Sequence, residues 1–230
     1  MAETNALLKR HTGNRIEGSN PSVSASPFLT VSAAGNRLLT GLGGLLRTIP
    51  QIDRVVLAPG VTLTRDLAWF PDSGLAGSSD GALLLGSEGC TVGPDGHPLA
   101  DFVVLETLTA RTLPLDAFAT LAAQPAFLQA HAAFVAATVR ELADGYRVAA
   151  ACRIEHRLAR WLLLAHDRLD ADTLAQTHET LAALLHVRRA SVTEALHLLE
   201  GHGLIRSLRS RVIIRDRAGL EEFASDAYAS

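Results

Sequence analysis

Residues 177–205 read THETLAALLHVRRASVTEALHLLEGHGLI, and the rest of the chain is organised around them. Thr177 is suited to cap the orphan N–H groups of a first helical turn, and Leu181, Leu184 and Leu185 follow at helical spacing on one side. Ala182, between them, is small enough to let another helix approach closely. The pattern breaks at Leu185-His186-Val187. Beyond it Val192, Ala195, Leu196 and Leu199 recur at i, i+3, i+4 and i+7, one buried stripe on a second helix. The other face carries Arg189, Ala190, Thr193, Glu194 and His197. Arg188 and Arg189 add to the positive end of that helix's dipole, and Gly203 ends it. Two short helices on a tight turn, the second with a polar outer face, are the plan of a helix-turn-helix DNA reader.

Two short apolar runs follow, Leu204 to Ser207 and Arg211 to Ile214, joined across Leu208-Arg209-Ser210 in the pattern of a β-hairpin wing. From Arg188 to Arg217 there are seven arginines against Glu194, Glu200 and Asp216, a local excess of four positive charges in a chain of formal charge −3. A basic patch on an acidic chain is the footprint of local attraction to a polyanion.

At these residues the chain resembles the Crp/Fnr superfamily of bacterial transcription regulators, most closely members with RLARWLL before the reader and GLIR in the wing. Here those are Arg157 to Leu163 and Gly203 to Arg206, and the resemblance covers about Cys152 to Leu220. It implies a long dimerisation helix, a degenerate cyclic-nucleotide-binding-like sensor and a second reader helix lying in the major groove. Position by position, Arg189 stands where the family reads guanine, and with Ala190, Thr193 and Glu194 on the same outer face it makes up the expected base-reading set. Thr177 matches the capping Thr that touches phosphate, and Ser191 a phosphate-binding hydroxyl. With Arg188, Arg206, Arg209 and Arg211 these form the expected phosphate set. Three positions depart from the family. Ala190 replaces an acidic residue, Glu194 an Arg, and His186 a turn Gly, so the operator is expected to differ from the best-known consensus. If the turn needs a positive φ, His186 adopts it at some cost.

Composition sets the outer limits. With 230 residues, 48% hydrophobic and 20% charged, the chain is expected to fold as two domains, and the absence of a long apolar run or a secretory layout points to the cytoplasm and away from the membrane. Cys90 and Cys152 stand far apart without metal-ligand spacing, which supports neither a zinc site nor an iron-sulfur cluster, and haem is unsupported as well. Residues 1–27 are polar, without periodicity, and read as a mobile tail. Asn36 to Ile49 has helical spacing weakened by Gly41, Gly43 and Gly44.

Residues 28–114 read as a β-roll, and from Asp53 to Leu113 short apolar runs alternate with Gly and Pro in the style of a jelly roll. Turns are expected at Pro59-Gly60 and at Phe70-Pro71-Asp72-Ser73-Gly74. Gly86-Ser87-Glu88-Gly89 has the Glu of a phosphate cassette, yet no Arg lies between Arg65 and Arg111 to neutralise a cyclic phosphate. A buried phosphate without a cation is strongly disfavoured, so cyclic-nucleotide binding is not expected.

Residues 115–151 return to helix, with Pro125 suited to a first turn. Leu128, His131, Val135, Thr138, Leu142 and Ala149 form a stripe near a 3.5-residue period, the seam of a homodimer, although packing on the chain's own roll stays open. Ala151-Cys152-Arg153 is the expected hinge to residues 152–230, where Leu158, Trp161, Leu162 and Ala165 form the core behind the reader, and Asp216 is suited to cap a last helix. The fold class is thus α+β: a roll, a dimerisation helix and a winged helix-turn-helix.

These readings point to a homodimer that binds double-stranded DNA at an inverted repeat, with RNA polymerase a candidate further partner and the effector unknown. A winged module that docks a protein and no longer reads DNA is the alternative that Ala190 and Glu194 keep open. No HExxH, GxSxG or P-loop is present, so no enzyme chemistry is expected.

Overall fold

The computed structural model describes residues 35–40, 52–169 and 171–228. The tail read over residues 1–27 lies outside these, as does most of the helix read over Asn36 to Ile49, of which α1 (Arg37–Thr40) is the described part.

Among the described residues the N-terminal half folds around one antiparallel sheet of β1 (Asp53–Leu57), β2 (Leu67–Ser78), β3 (Leu84–Leu85) and β4 (Phe102–Pro114), ordered β1-β4-β2-β3. Strand β4 is its spine, pairing β1 on one edge and β2 on the other. Alternation along β4 sends Phe102, Val104, Leu108 and Ala110 into the core of the sheet domain. Leu105 joins a second core, beneath the C-terminal helices.

The turn at Pro59-Gly60 is present. The turn expected at Phe70 to Gly74 is not: β2 runs straight through, and register shifts at Pro71/Ser73, Ser73/Leu75 and Leu75/Ala76 absorb the irregularity. A bulged ladder tolerates Pro and Gly, since some of its residues need no cross-strand donor. The run from Gly81 to Gly89 yields only the two residues of β3, because the Glu88 carboxylate accepts the Gly86 N–H at 3.1 Å and turns the chain out of the sheet.

Helices α2 (Leu115–Ala122) and α3 (Pro125–Ala151) follow, with Pro125 opening the first turn of α3. The inner stripe of α3 is Phe127, His131, Phe134 and Val148, all buried. Phe127 and His131 meet Phe118 at 5.8 and 5.7 Å between ring centroids, in edge-on geometry. His131 therefore does not belong to the free seam on which its spacing set it. It is 0% exposed in the single chain, with Nε2 2.8 Å from the Val92 carbonyl. Thr138 is half-buried, and its hydroxyl donates to the Phe134 carbonyl of its own helix.

Helix α3 ends at Cys152, whose backbone is extended, and α4 (Ile154–Arg168) begins two residues later. The C-terminal unit continues through β5 (Thr173–Leu174), α5 (His178–Leu184), α6 (Arg189–Gly201), β6 (Ile205–Leu208), β7 (Arg211–Ile214) and α7 (Arg217–Ala224). Leu158, Trp161, Leu162 and Ala165 of α4 pack with Leu181, Val192, Leu196, Leu199 and Val212, so the expected stripe does form the core behind the reader. The second strand of the hairpin has the bounds read from the sequence, while the first is set one residue later, with Leu208 opposite Arg211 and only Arg209-Ser210 between. Strand β5 adds a third member, pairing β7 in a sheet ordered β5-β7-β6.

The two units are clasped by Arg168, buried at the end of α4. Its Nε donates to Glu88 at 2.8 Å and its Nη2 to Glu141 of α3 at 2.6 Å. These two carboxylates hold its charged form more firmly than burial opposes it. A buried cation with two anions is the arrangement in which a buried charge is tolerated.

Candidate nucleic-acid interface

The interface is built on α5, the turn after it, α6 and the hairpin. Helix α5 starts at Thr177, whose Oγ1 accepts the Thr180 N–H at 3.1 Å, the N-cap bond expected of Thr. Its Leu181 and Leu184 are buried. The chain reverses at His186, where φ is +51°, so the turn does use the left-handed region that a side chain enters at a cost.

Helix α6 begins unlike its neighbours. Thr177 caps α5 and Asp216 caps α7, accepting the Gly219 N–H at 2.9 Å, but α6 has Arg188 at its N-cap and no side-chain bond there. Arg188 and Arg189 put two cations at the positive end of the dipole, where they oppose folding of the helix. Uncapped N–H groups beside exposed arginines form a ready site for a phosphate. The helix ends as a Schellman turn: Leu204 N–H reaches the Leu199 carbonyl at 3.1 Å, Gly203 N–H the Glu200 carbonyl at 2.9 Å, and Gly203 has φ +75°.

The two faces of α6 separate as the spacing predicts. Val192, Ala195, Leu196 and Leu199 are buried, while Arg188, Arg189, Ala190, Glu194 and His197 are exposed and Ser191 is half-buried at the first turn. Thr193 differs from the other three residues of the expected base-reading set. It is half-buried, its hydroxyl donates to the Arg189 carbonyl, and it lies 3.0 Å from His178 Nδ1. The other ring nitrogen of His178 is 3.3 Å from Ser207 Oγ, so one imidazole ties the first helix to the second and to the hairpin. Partial burial, then the nearby Arg189 and His197, hold His178 below its ordinary value. Sequence reading missed this residue, because its partners lie 15 and 29 positions away.

On the hairpin, Arg206, Arg209 and Arg211 are exposed, as is Arg215 beyond it. Arg217, counted in the same basic stretch, is committed inward to Asp167 at 2.5 Å and to Glu221 at 2.9 Å. The cationic surface is therefore Arg188, Arg189, Arg206, Arg209, Arg211 and Arg215. Its acidic neighbours are Glu179 of α5, Glu194, Glu200, which accepts the Ser207 N–H, and Asp216, which caps α7.

Helix α3 presents a second surface, apolar in kind. Leu128, Ala132, Val135, Val139, Leu142, Tyr146 and Ala149 are spaced alternately by four and three residues over its length. Leu128, Val139 and Tyr146 are 48, 58 and 68% exposed, and Ala132 and Ala149 are also open, whereas Val135 and Leu142 lean on the sheet core. Of the stripe read from sequence, Leu128, Val135, Leu142 and Ala149 lie on this seam, and Ala132, Val139 and Tyr146 complete it.

The cassette-like Gly86-Ser87-Glu88-Gly89 is closed by the chain itself. Glu88 is buried on Arg168, a cation that comes from 80 residues further on. No ion pair links it to a cation within the sheet domain among the described residues.

Comparison with known proteins bears on the C-terminal unit and on the fold. The family model of the Crp-like helix-turn-helix domain matches residues 156–223. No curated protein matches the chain. Among solved structures, a CRP/FNR-family transcriptional regulator from Thermus thermophilus is 21% identical, with a TM-score of 0.60, over 75% of this chain and 98% of the other. FixK2 from Bradyrhizobium japonicum is 16% identical, with a TM-score of 0.57, over 74% of this chain and 96% of its own. The c-di-GMP responsive global regulator CLP of Xanthomonas campestris is 15% identical, with a TM-score of 0.58, over 75% and 98%. Residues 156–223 therefore match the Crp-like helix-turn-helix domain, and the chain that carries them has the fold seen in CRP/FNR transcriptional regulators.

Proposed function

We propose that this chain is a dimeric, sequence-specific DNA-binding transcription regulator. The observation that carries the reading is the first turn of α6: uncapped, exposed and led by Arg188 and Arg189. A helix start that opposes its own folding in this way is stabilised when a phosphate sits on it.

Arg189 reads guanine through O6 and N7, and Glu194, one turn on, accepts from a cytosine N4. Ala190 offers a methyl group to the same groove. Thr193, whose hydroxyl is engaged by His178 and the Arg189 carbonyl, seats the helix and leaves base reading to those three. Thr177, Arg188, Ser191, Arg206, Arg209 and Arg211 act as phosphate anchors, fixing register without reading sequence. The seam of α3 pairs with its copy in a second chain, in knobs-into-holes fashion. Two readers related by a two-fold axis then meet major-groove faces about 34 to 36 Å apart, and the operator is an inverted repeat.

The sheet domain works without a cyclic nucleotide. Glu88 and Arg168 neutralise each other, so the cassette offers no unpaired cation for a cyclic phosphate. Haem and metal have no part in the reading, and RNA polymerase is the partner that a regulator of transcription would engage.

The test is the salt dependence of duplex binding by the purified chain. Neutralising about six phosphates gives a slope of log K against log salt of about −5. A flat response, or no binding to any duplex, contradicts the reading and favours a module that docks protein.

A further inference from the structure

The imidazole of His178 is half-buried between α6 and the hairpin, with one ring nitrogen toward each. The hydroxyls it meets fix which nitrogen carries the hydrogen of the neutral ring. Thr193 donates its one hydroxyl hydrogen to the Arg189 carbonyl at 3.1 Å, so toward His178 Nδ1, 3.0 Å away, it can only accept. Nδ1 therefore bears the hydrogen and Nε2 the lone pair. Ser207 Oγ, 3.3 Å from Nε2, must then be the donor of that bond. The neutral ring thus holds the hydroxyl hydrogen of Ser207 inward, on a strand where the preceding Arg206 is exposed.

A proton added at Nε2 changes one of these bonds and leaves the other. Nδ1–H still donates to Thr193, but Nε2–H now donates to Ser207 Oγ, and the serine hydrogen is released to turn outward. In the free chain the surroundings oppose this step. Partial burial comes first, and Arg189 and His197 of α6 follow, so the ring lies below its ordinary value. Arg206 stands beside Ser207 on the hairpin, and the anions nearby are Glu179 of the same helix and Glu200, which already accepts the Ser207 N–H at 3.2 Å.

We infer that His178 couples DNA binding to a proton: docking on a phosphodiester backbone draws one proton from solvent onto Nε2, which places a cation between α6 and the hairpin and turns the Ser207 hydroxyl toward a phosphate as a donor. This rests on the DNA reading proposed above. Phosphates against Arg189 and Arg206 offset the charges that oppose protonation, and themselves favour it. The imidazole then titrates at higher pH in the complex than in the free chain. Between the two values the complex holds more protons than its separated parts, so affinity must rise as pH falls through that interval.

The experiment is duplex binding by the full chain at fixed salt, with proton uptake measured by calorimetry in two buffers of unlike ionisation enthalpy. Affinity is expected to be at least about threefold tighter at about pH 5.5 than at about pH 8, since raising the group by one pKa unit is worth about tenfold. Proton uptake should accompany it. Both effects should vanish in His178→Gln, whose amide still reaches two hydroxyls but does not titrate, and persist in His197→Gln. Ser207→Ala should weaken binding more at the acid end than at the neutral end, and an equal loss at both ends overturns the role given to its hydroxyl. The ring's own titration, followed by NMR in the natural chain with and without duplex, needs no variant and should move to higher pH in the complex. An unmoved titration, or a pH dependence that His178→Gln keeps, overturns the coupling while leaving the DNA reading intact. No binding to any duplex at either pH overturns both.

Discussion

Helices α3 and α6 each bury one stripe and present another, but what they present differs in kind. The open face of α6 carries Arg189, Ala190, Glu194 and His197, and its start sets two cations against its own dipole. The open face of α3 carries Leu128, Ala132, Val139 and Tyr146, members of a seam whose residues alternate at four- and three-residue spacing with Val135, Leu142 and Ala149. A surface of the first kind is satisfied by a polyanion and weakened by salt. One of the second kind is satisfied by a matching apolar helix and is nearly indifferent to salt. The difference separates the kinds of partner the two surfaces can accept, and Arg168 of α4 ties α3 to the C-terminal unit through Glu141.

The largest expected effect comes from breaking that link. Arg168→Met leaves Glu88 and Glu141 without their cation in a buried setting, and is expected to destabilise the chain by about 3 to 5 kcal/mol, read as a lowered urea midpoint. The next substitution attacks the seam alone. Val139→Glu should give a monomer by sedimentation and weaken binding to an inverted repeat by about 100-fold, as expected when two linked readers become one. If dimerisation survives, the seam lies elsewhere. Arg189→Ala attacks the polar face, at an expected cost of about 1 to 3 kcal/mol on the preferred site and less on random duplex, with choice relaxed at one base pair. Removing the cap with Thr177→Ala should cost about 1 kcal/mol of stability, visible as a small shift of the melting temperature.

The smallest effect is a titration inside α3. Burial holds His131 below its ordinary value, with the Val92 carbonyl acting weakly in the other direction. Between the two values the unfolded chain binds more protons than the folded one, so stability is complete above about pH 6.5 and is lost as pH falls through the folded value. Cys90, whose Sγ lies 3.5 Å from the ring, adds no charge there because burial pushes its thiol up to about 12. Urea midpoints at pH 7.5 and 5.5 should differ more in the natural chain than in His131→Phe.

What could be read from the residues alone divides along the same line. The reader was legible because its signals are local: a cap, a stripe of period 3.6, a break and a terminal glycine all fall within thirty residues. Helix α3 was legible as a helix but not by face. Its inner stripe of Phe127, His131 and Phe134 and its outer seam interleave at nearly the same period, so the spacing selected members of both. The sheet was blurred by its bulges, which let β2 continue through Pro71 and Gly74 where those residues suggested a turn. Strand β5, of two residues, is too short to have a period. The clasp of Arg168 on Glu88 and the bridge made by His178 join residues far apart in sequence, and no local pattern announces them.

One measurement bears most directly on the claim that α6 reads DNA from a dimer: selection of duplexes from a random pool by the full chain, repeated with Arg189→Ala. The expected outcome is an inverted repeat whose half-site centres lie one helical turn apart, about 34 to 36 Å, with one guanine per half-site whose enrichment disappears in the variant. A pool that yields no common sequence, or one whose preference Arg189→Ala leaves intact, would contradict it.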